Sequence, residues 1–352
     1  MLAINKNDPY IIAEVGCNHN GSIDMAKRLI DEAKKSGCHA VKFQLWGKET
    51  AHTKSYIKKL NNVSATIDGA KLSTKELGLK NVEEQLEAFA FEQKEHIILK
   101  KYCDEVGIDF SSTALTEDDI DFLFDLGVDF FKIASQDLNH TDFLKYIANK
   151  NIPTILSTGL GNLGEIEAAV NCFKPNFIKN LTLLHCISLY PPKDEDIHLN
   201  QMKTLKRIYP DISIGYSDHT SGYSIPLAAI TMGAEVIEKH FTLDKDLPGW
   251  DHYVSATPDE MKIICTESKR IKKALGENFH DLSVKEEKKK ESFRRSIVSI
   301  EKIKKGEVIT QDKLFFKRPG TGIMPSELKY VIGRIAKNDI LADELILWDD
   351  LV

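Results

Sequence analysis

Two lysines, Lys42 in "AVKFQLW" and Lys132 in "FFKIAS", sit inside short apolar runs, where a charge is costly without a partner. Other runs of the same kind supply hydroxyls: Thr113, Ser135, Ser157 and Ser217. Two cations with several neutral donors suit a ligand bearing both a phosphate and a carboxylate. His219 and His240 end two consecutive runs, "SIGYSDH" and "VIEKHF". On neighbouring strands, about 4.8 Å apart, two imidazoles can share one divalent cation. With Glu14 of "YIIAEVG" nearby and water in the remaining positions, such a site is open and catalytic; a structural site would be closed by four protein ligands. A nitrogen and oxygen set does not choose among Mn²⁺, Mg²⁺, Zn²⁺ and Co²⁺. The chemistry these residues suit is metal-assisted and acts on an anionic, phosphorylated small molecule. A carbonyl polarised by the cation is its natural partner.

Eight elements must bring these groups together. Apolar runs recur at 10–16, 40–46, 109–113, 130–135, 154–159, 181–188, 213–219 and 236–241, most with an amphipathic helical pattern between them. Such alternation means a parallel sheet covered by helices, and eight units fit a closed (β/α)8 barrel over residues 1–282. A doubly wound sheet is the alternative, but "EVGCNHNG" after the first run is not a G-x-G-x-x-G loop. In a barrel the chemistry sits at the C-terminal ends of the strands. Those ends carry Glu14 with Asn18 and His19; Lys42 and Gln44; Ser112 and Thr113; Lys132 and Ser135; Ser157 and Thr158. They continue with His185, Ser188 and Tyr190; Ser217, Asp218 and His219; Glu238 and His240. Each alone has an ordinary explanation as a helix cap, a hydrogen-bonded core histidine or a lysine reaching solvent. A full ring of polar strand ends points to a site.

About sixty residues separate the second and third runs, and their polar part (52–81) reads as a long loop. The charge run 283–294 reads as a linker or solvated helix end, and 295–352 as a small β-rich module with Lys-Gly-Glu and Pro-Gly turns. The 352 residues carry 47 basic and 53 acidic groups, a net charge of −6, which gives no bulk attraction to nucleic acid or anionic lipid. No apolar run is long enough to span a bilayer and the N-terminus lacks a signal peptide's pattern. The six scattered cysteines read as reduced thiols of a cytoplasmic protein.

The segments "IIAEVGCNHNGS", "AVKFQ", "FFKIAS", "TILSTG", "IGYSDHT" and "VIEKHFTLDK" together resemble the sialic acid synthase family, in order and nearly throughout the chain. "IKKGEVIT" and "KRPGTGI" resemble that family's antifreeze-like (SAF) domain. The resemblance implies condensation of phosphoenolpyruvate with an N-acylated amino sugar and release of phosphate, by a domain-swapped homodimer using Mn²⁺ or Mg²⁺. By it, Lys42, Thr113, Lys132, Ser135, Ser157, Ser217 and, where relatives often have Asn, Ser188 hold phosphoenolpyruvate. His219 and His240 bind the metal; Glu14, Gln44, Tyr190 and Asp251 contact the sugar; Arg318 reaches its N-acyl group from the partner subunit. Glu14 or Glu238 handles the water. Trp250 stands where relatives usually have Pro or Ala, and adjoins Asp251. It narrows the sugar pocket or stacks on an apolar sugar face. The first reading of the product is N-acetylneuraminate; legionaminic acid, from 2,4-diacetamido-2,4,6-trideoxymannose, is the alternative. Two rivals of other classes are a Schiff-base aldolase or lyase using Lys132 as nucleophile, and a non-enzymatic sugar-binding protein.

Overall fold

The computed structural model describes residues 8–47, 53–60, 66–67, 70–71, 78–175, 177–276, 279 and 281–352. These fall into two compact units, Met1–Gly276 and Glu277–Val352.

The first unit is a closed barrel of eight parallel strands. They are β1 (Tyr10–Gly16), β2 (Ala40–Gln44), β3 (Asp109–Thr113), β4 (Phe131–Ile133), β5 (Thr154–Ser157), β6 (Leu181–Cys186), β7 (Ser213–Asp218) and β8 (Val236–His240). Each is followed by a helix: α1 (Ile23–Ser36), α2 (Gln93–Val106), α3 (Glu117–Leu126), α4 (Thr141–Asn149), α5 (Leu163–Asn171), α6 (Gln201–Ile208), α7 (Ser224–Thr231) and α8 (Pro258–Leu275). The side-chain period of two explains how the runs pack. Along β1, Ile11, Ala13 and Val15 face the helices, while Tyr10 and Ile12 join Ala40, Phe130, Ile155, Leu184 and Val236 inside the barrel. That inner layer plugs the floor, so the chamber above it is a pocket and not a pore. Helix ends follow local chemistry. Ser22 caps α1 by accepting from the Met25 amide, and Gly37 ends it at φ 95°, a left-handed conformation glycine adopts without cost. Thr116 with Asp119 and Thr257 with Glu260 form capping boxes that start α3 and α8.

The register of the strands sets the site. Glu14 pairs with Lys42 on one side and His240 on the other; Gln44 pairs with Thr113, Thr113 with Lys132, and Ser217 with Glu238. Residues far apart in the chain are thereby placed in one layer.

The stretch 52–81 is not simply a loop. Part of it lies outside the described residues, but the rest holds a helix, Lys54–Leu60, and a two-stranded hairpin, Thr66–Ile67 with Ala70–Lys71. A further helix, Val82–Phe89, follows, capped by Asn81. Its pattern is short, and its apolar residues Leu86 and Phe89 pack on Cys17, Trp46 and Ile57 instead of the main core.

In the second unit, α9 (Val284–Phe293) occupies the charge run, opened by a Ser283–Glu286 capping box. Strand β9 (Ser296–Ser299) pairs antiparallel with β10 (Leu314–Lys317). Ile297, Ile303, Ile309, Ile323, Val331, Ile340 and Ile346 form its separate core. No helix among the described residues is long and apolar enough to cross a membrane.

Candidate active site

The C-terminal ends of the barrel strands surround one cavity of about 690 Å³, large enough for two small substrates. Its wall contains Glu14, Lys42, Gln44, Thr113, Lys132, Ser135, Ser157, Ser188, Tyr190, Ser217, His219, Glu238, His240 and Trp250. Fourteen of the sixteen residues to which the resemblance gives a role thus meet in one place. The other two lie elsewhere. Asp251 is not in the wall, but its Oδ2 lies 3.8 Å from His240 Nδ1. Arg318 belongs to the second unit, where its guanidinium lies 4.8 Å from the centre of the Phe293 ring.

A buried charge network forms the base of the chamber. Lys42 and Lys132 are each only 3% exposed. Lys42 Nζ is 2.6 Å from Glu14 Oε2 and 3.8 Å from Glu238 Oε2, and donates to Thr113 Oγ1 at 3.0 Å. Lys132 Nζ lies 3.6 Å from Glu238 Oε1, to which Ser217 Oγ donates at 2.9 Å. Gln44 Nε2 donates to Glu14 Oε1 at 3.1 Å. The two carboxylates are tuned apart. Burial raises the Glu14 carboxyl to about 7, only partly opposed by Lys42 and reinforced by Glu238. Burial also acts to raise Glu238, but Lys132, Lys42 and the Ser217 hydroxyl outweigh it and hold it below its usual value. For Lys42, burial acts to lower the pKa, and its two carboxylate partners reverse the effect and raise it; burial wins at Lys132, which is lowered. One carboxyl is therefore poised near neutrality and its neighbour is held ionised.

The two histidines face each other across the β7–β8 edge, with ring centres 5.4 Å apart. The Ile187 carbonyl accepts from His219 Nδ1 at 2.8 Å, which leaves Nε2 with its lone pair. Tyr190 stacks on the His219 ring at 4.0 Å and meets His240 edge-on. Nδ1 of His240 is buried without a hydrogen bond. Burial lowers the pKa of both rings, so both are neutral. Two neutral, preoriented imidazoles, one with an orphaned nitrogen, fit a divalent cation; water must complete its coordination.

Other polar strand ends have structural roles, because they point away from the chamber. His19 stacks on Phe91 with ring centres 3.6 Å apart. Asn18 bonds the Phe241 carbonyl and Ser255, Ser112 bonds His96, and His185 bonds the Ile197 carbonyl. Strand alternation was the signal separating Ser112 from Thr113 and His185 from Cys186; Asn18 and His19 lie in the turn after β1. Unforeseen members of the wall include Cys186, Gln136 and the apolar residues Trp46, Leu86, Leu115, Leu160 and Leu189. Trp46 and Trp250 stack at 6.1 Å, with Phe89 edge-on to Trp250 at 5.1 Å. Nothing in the pattern around 82–89 shows that this inserted helix returns to the barrel mouth.

The model of the NeuB family matches residues 29–280, and that of the SAF domain matches residues 294–352. The chain belongs to the NeuB family. It is 41% identical to an uncharacterised protein of Methanocaldococcus jannaschii, over 99% of this chain and 96% of that protein. It is 40% identical to the N,N'-diacetyllegionaminic acid synthase of Campylobacter jejuni, over 96% of this chain and 98% of that one. Among solved structures it resembles the N-acetylneuraminic acid synthetase of Leptospira borgpetersenii, with a TM-score of 0.69 and 35% identity over 81% of this chain and 91% of that one. This NeuB-family chain is an enzyme of the sialic acid synthase type, in the transferase class, and its relatives include synthases of N,N'-diacetyllegionaminic acid and N-acetylneuraminic acid.

Proposed function

We propose that this NeuB-family enzyme joins C3 of phosphoenolpyruvate to the aldehyde carbon of an open-chain, N-acylated amino sugar and releases phosphate. The observation that carries this is the buried base of two lysines and surrounding hydroxyls beside a pair of neutral histidines. Lys42 and Lys132, with Thr113, Ser135, Ser157, Ser188 and Ser217, hold the phosphate and carboxylate of phosphoenolpyruvate. His219 and His240 would hold Mn²⁺ or Mg²⁺, which when bound supplies Lewis-acid polarisation of the sugar aldehyde. As the new bond forms, positive charge develops at C2 of phosphoenolpyruvate, where the Glu14 and Glu238 carboxylates lower its energy. Water then adds at C2. Glu14, poised near 7, takes the water's proton, while the ionised Glu238 keeps its charge. The tetrahedral adduct expels phosphate by C–O cleavage, and Lys132 and Lys42 stabilise the leaving dianion. Gln44, Tyr190, Trp250 and Asp251 contact the sugar. Arg318 reaches its N-acyl group from the partner subunit of a domain-swapped homodimer. A cytoplasmic location suits the free cysteines and the phosphoenolpyruvate requirement.

For the sugar, a specific observation favours 2,4-diacetamido-2,4,6-trideoxymannose over N-acetylmannosamine. The Trp46–Trp250–Phe89 stack gives the mouth an apolar face suited to a deoxy terminus and an acyl methyl. The Campylobacter jejuni relative makes the corresponding product by name. The test is phosphate release with phosphoenolpyruvate, Mn²⁺ and a panel of N-acetylmannosamine, its 6-phosphate and the diacetamido sugar. Phosphate should appear only when a sugar is present, and fastest with the diacetamido sugar. No release with any of the three would sink the condensation reading, and a clear preference for N-acetylmannosamine would sink the choice of sugar.

A further inference from the structure

Asp218 and Lys239 form an ion pair in which both side chains are fully buried, and nothing in the reaction chamber uses it. Strand alternation puts them on the far side of the wall: Ser217, His219, Glu238 and His240 line the cavity, and these two do not. They are directly opposed across the β7–β8 pairing. Lys239 Nζ donates to Asp218 Oδ2 and to the Thr220 carbonyl, both at 2.6 Å. The two oxygens of Asp218 accept from the Thr220 amide and hydroxyl, each at 3.1 Å. The network therefore closes around the turn that carries His219 and ties it to the residue just before His240.

Stability alone does not explain such a pair. Burying two charges costs about as much as their attraction returns, and an apolar pair of similar shape is often as stable or better. What a hydrogen-bonded ion pair supplies is a fixed geometry, because each bond is directional and an unmet charge at this depth is prohibitive. The geometry fixed here is the relative placement of two adjacent strand ends, each bearing one imidazole.

We propose that Asp218 and Lys239 are positioning residues that hold the imidazoles of His219 and His240 at the separation needed to share a divalent cation. The proposal rests on the reading that these two histidines bind the cation. Outer partners of metal ligands typically change metal affinity 10- to 100-fold when removed.

The test is Mn²⁺ binding to the full chain, followed by electron paramagnetic resonance without either substrate. Lys239→Met alone strands a buried carboxylate and endangers folding, so the decisive variant is the neutral pair Asp218→Asn with Lys239→Met. It should melt within a few degrees of the unmodified chain but bind Mn²⁺ roughly 10- to 100-fold more weakly. Its affinity for phosphoenolpyruvate, read from tryptophan fluorescence without metal, should stay within about twofold, because its phosphate and carboxylate partners are untouched. Mn²⁺ affinity equal to that of the unmodified chain would show the pair to be only structural and overturn the proposal. Absence of Mn²⁺ binding by the unmodified chain, with phosphoenolpyruvate binding intact, would overturn the two-histidine reading and the proposal with it.

Discussion

Residue chemistry in this chamber turns on contrast between like groups. Glu14 and Glu238 are both buried against lysines, yet one is raised to about 7 and the other lowered. A base raised to about 7 is uncharged below that value and active above it. With phosphoenolpyruvate saturating, kcat should therefore rise with pH through about 7. Glu14→Gln should lower kcat by roughly 10²- to 10⁴-fold and flatten this limb. A variant that keeps the limb would show that Glu14 is not the group that titrates, and Glu238, held ionised, would not replace it there. The histidines separate the metal reading from its rivals. His219→Ala and His240→Ala should each abolish tight Mn²⁺ binding and turnover while leaving phosphoenolpyruvate binding within a few fold. Borohydride trapping of a substrate adduct on Lys132 would instead support a Schiff-base enzyme.

At the scale of elements, the barrel was legible because each strand is a short apolar run with a helix pattern behind it, and β1 to β8 lie where those runs fall. The polar strand ends were legible as a set. Which of them face the chamber was less so at β1, since Asn18 and His19 lie in the turn beyond Gly16, where strand alternation no longer sets facing. The inserted helix Val82–Phe89 was illegible, because its burial depends on Trp46 and Trp250, which only the tertiary fold brings to it. Strand packing also sets an upper limit on side-chain size. A Cβ added at Gly215 in β7 would lie 2.4 Å from the Val236 carbonyl oxygen and 2.6 Å from Leu184 Cδ2. Gly215→Ala should therefore cost about 1–3 kcal/mol or more in urea unfolding. A neutral result would mean that β6 and β8 yield more easily than close packing allows.

For the whole molecule, loss of stability on mild acidification should come from buried neutral histidines. Burial lowers His96 to about 4, against 6.5 in an unfolded chain. Between those values the unfolded chain binds more protons, so this contribution is intact above pH 6.5 and is lost as pH falls towards 4. Glu14 and Asp251, raised to about 7 and about 6, act in the opposite sense over part of that range. The contribution of His96 is thus best read as a difference: between pH 6.5 and 4.5, His96→Gln should lose about 2 kcal/mol less unfolding free energy than the unmodified chain. Equal losses would show that His96 is solvated in the native state. The proposed swapped dimer makes its own prediction. Arg318→Ala and His240→Ala chains, each weak alone, should regain activity when co-refolded, because one of the two mixed sites is intact. No recovery would place both residues in one chain's site.

The central claim is condensation through carbon–oxygen cleavage of phosphoenolpyruvate at the base of this chamber. Phosphoenolpyruvate carrying ¹⁸O in the bridge between C2 and phosphorus tests it most directly, with the diacetamido sugar and Mn²⁺ present. All of the label should leave in inorganic phosphate. Label retained in the keto oxygen of the product would contradict it.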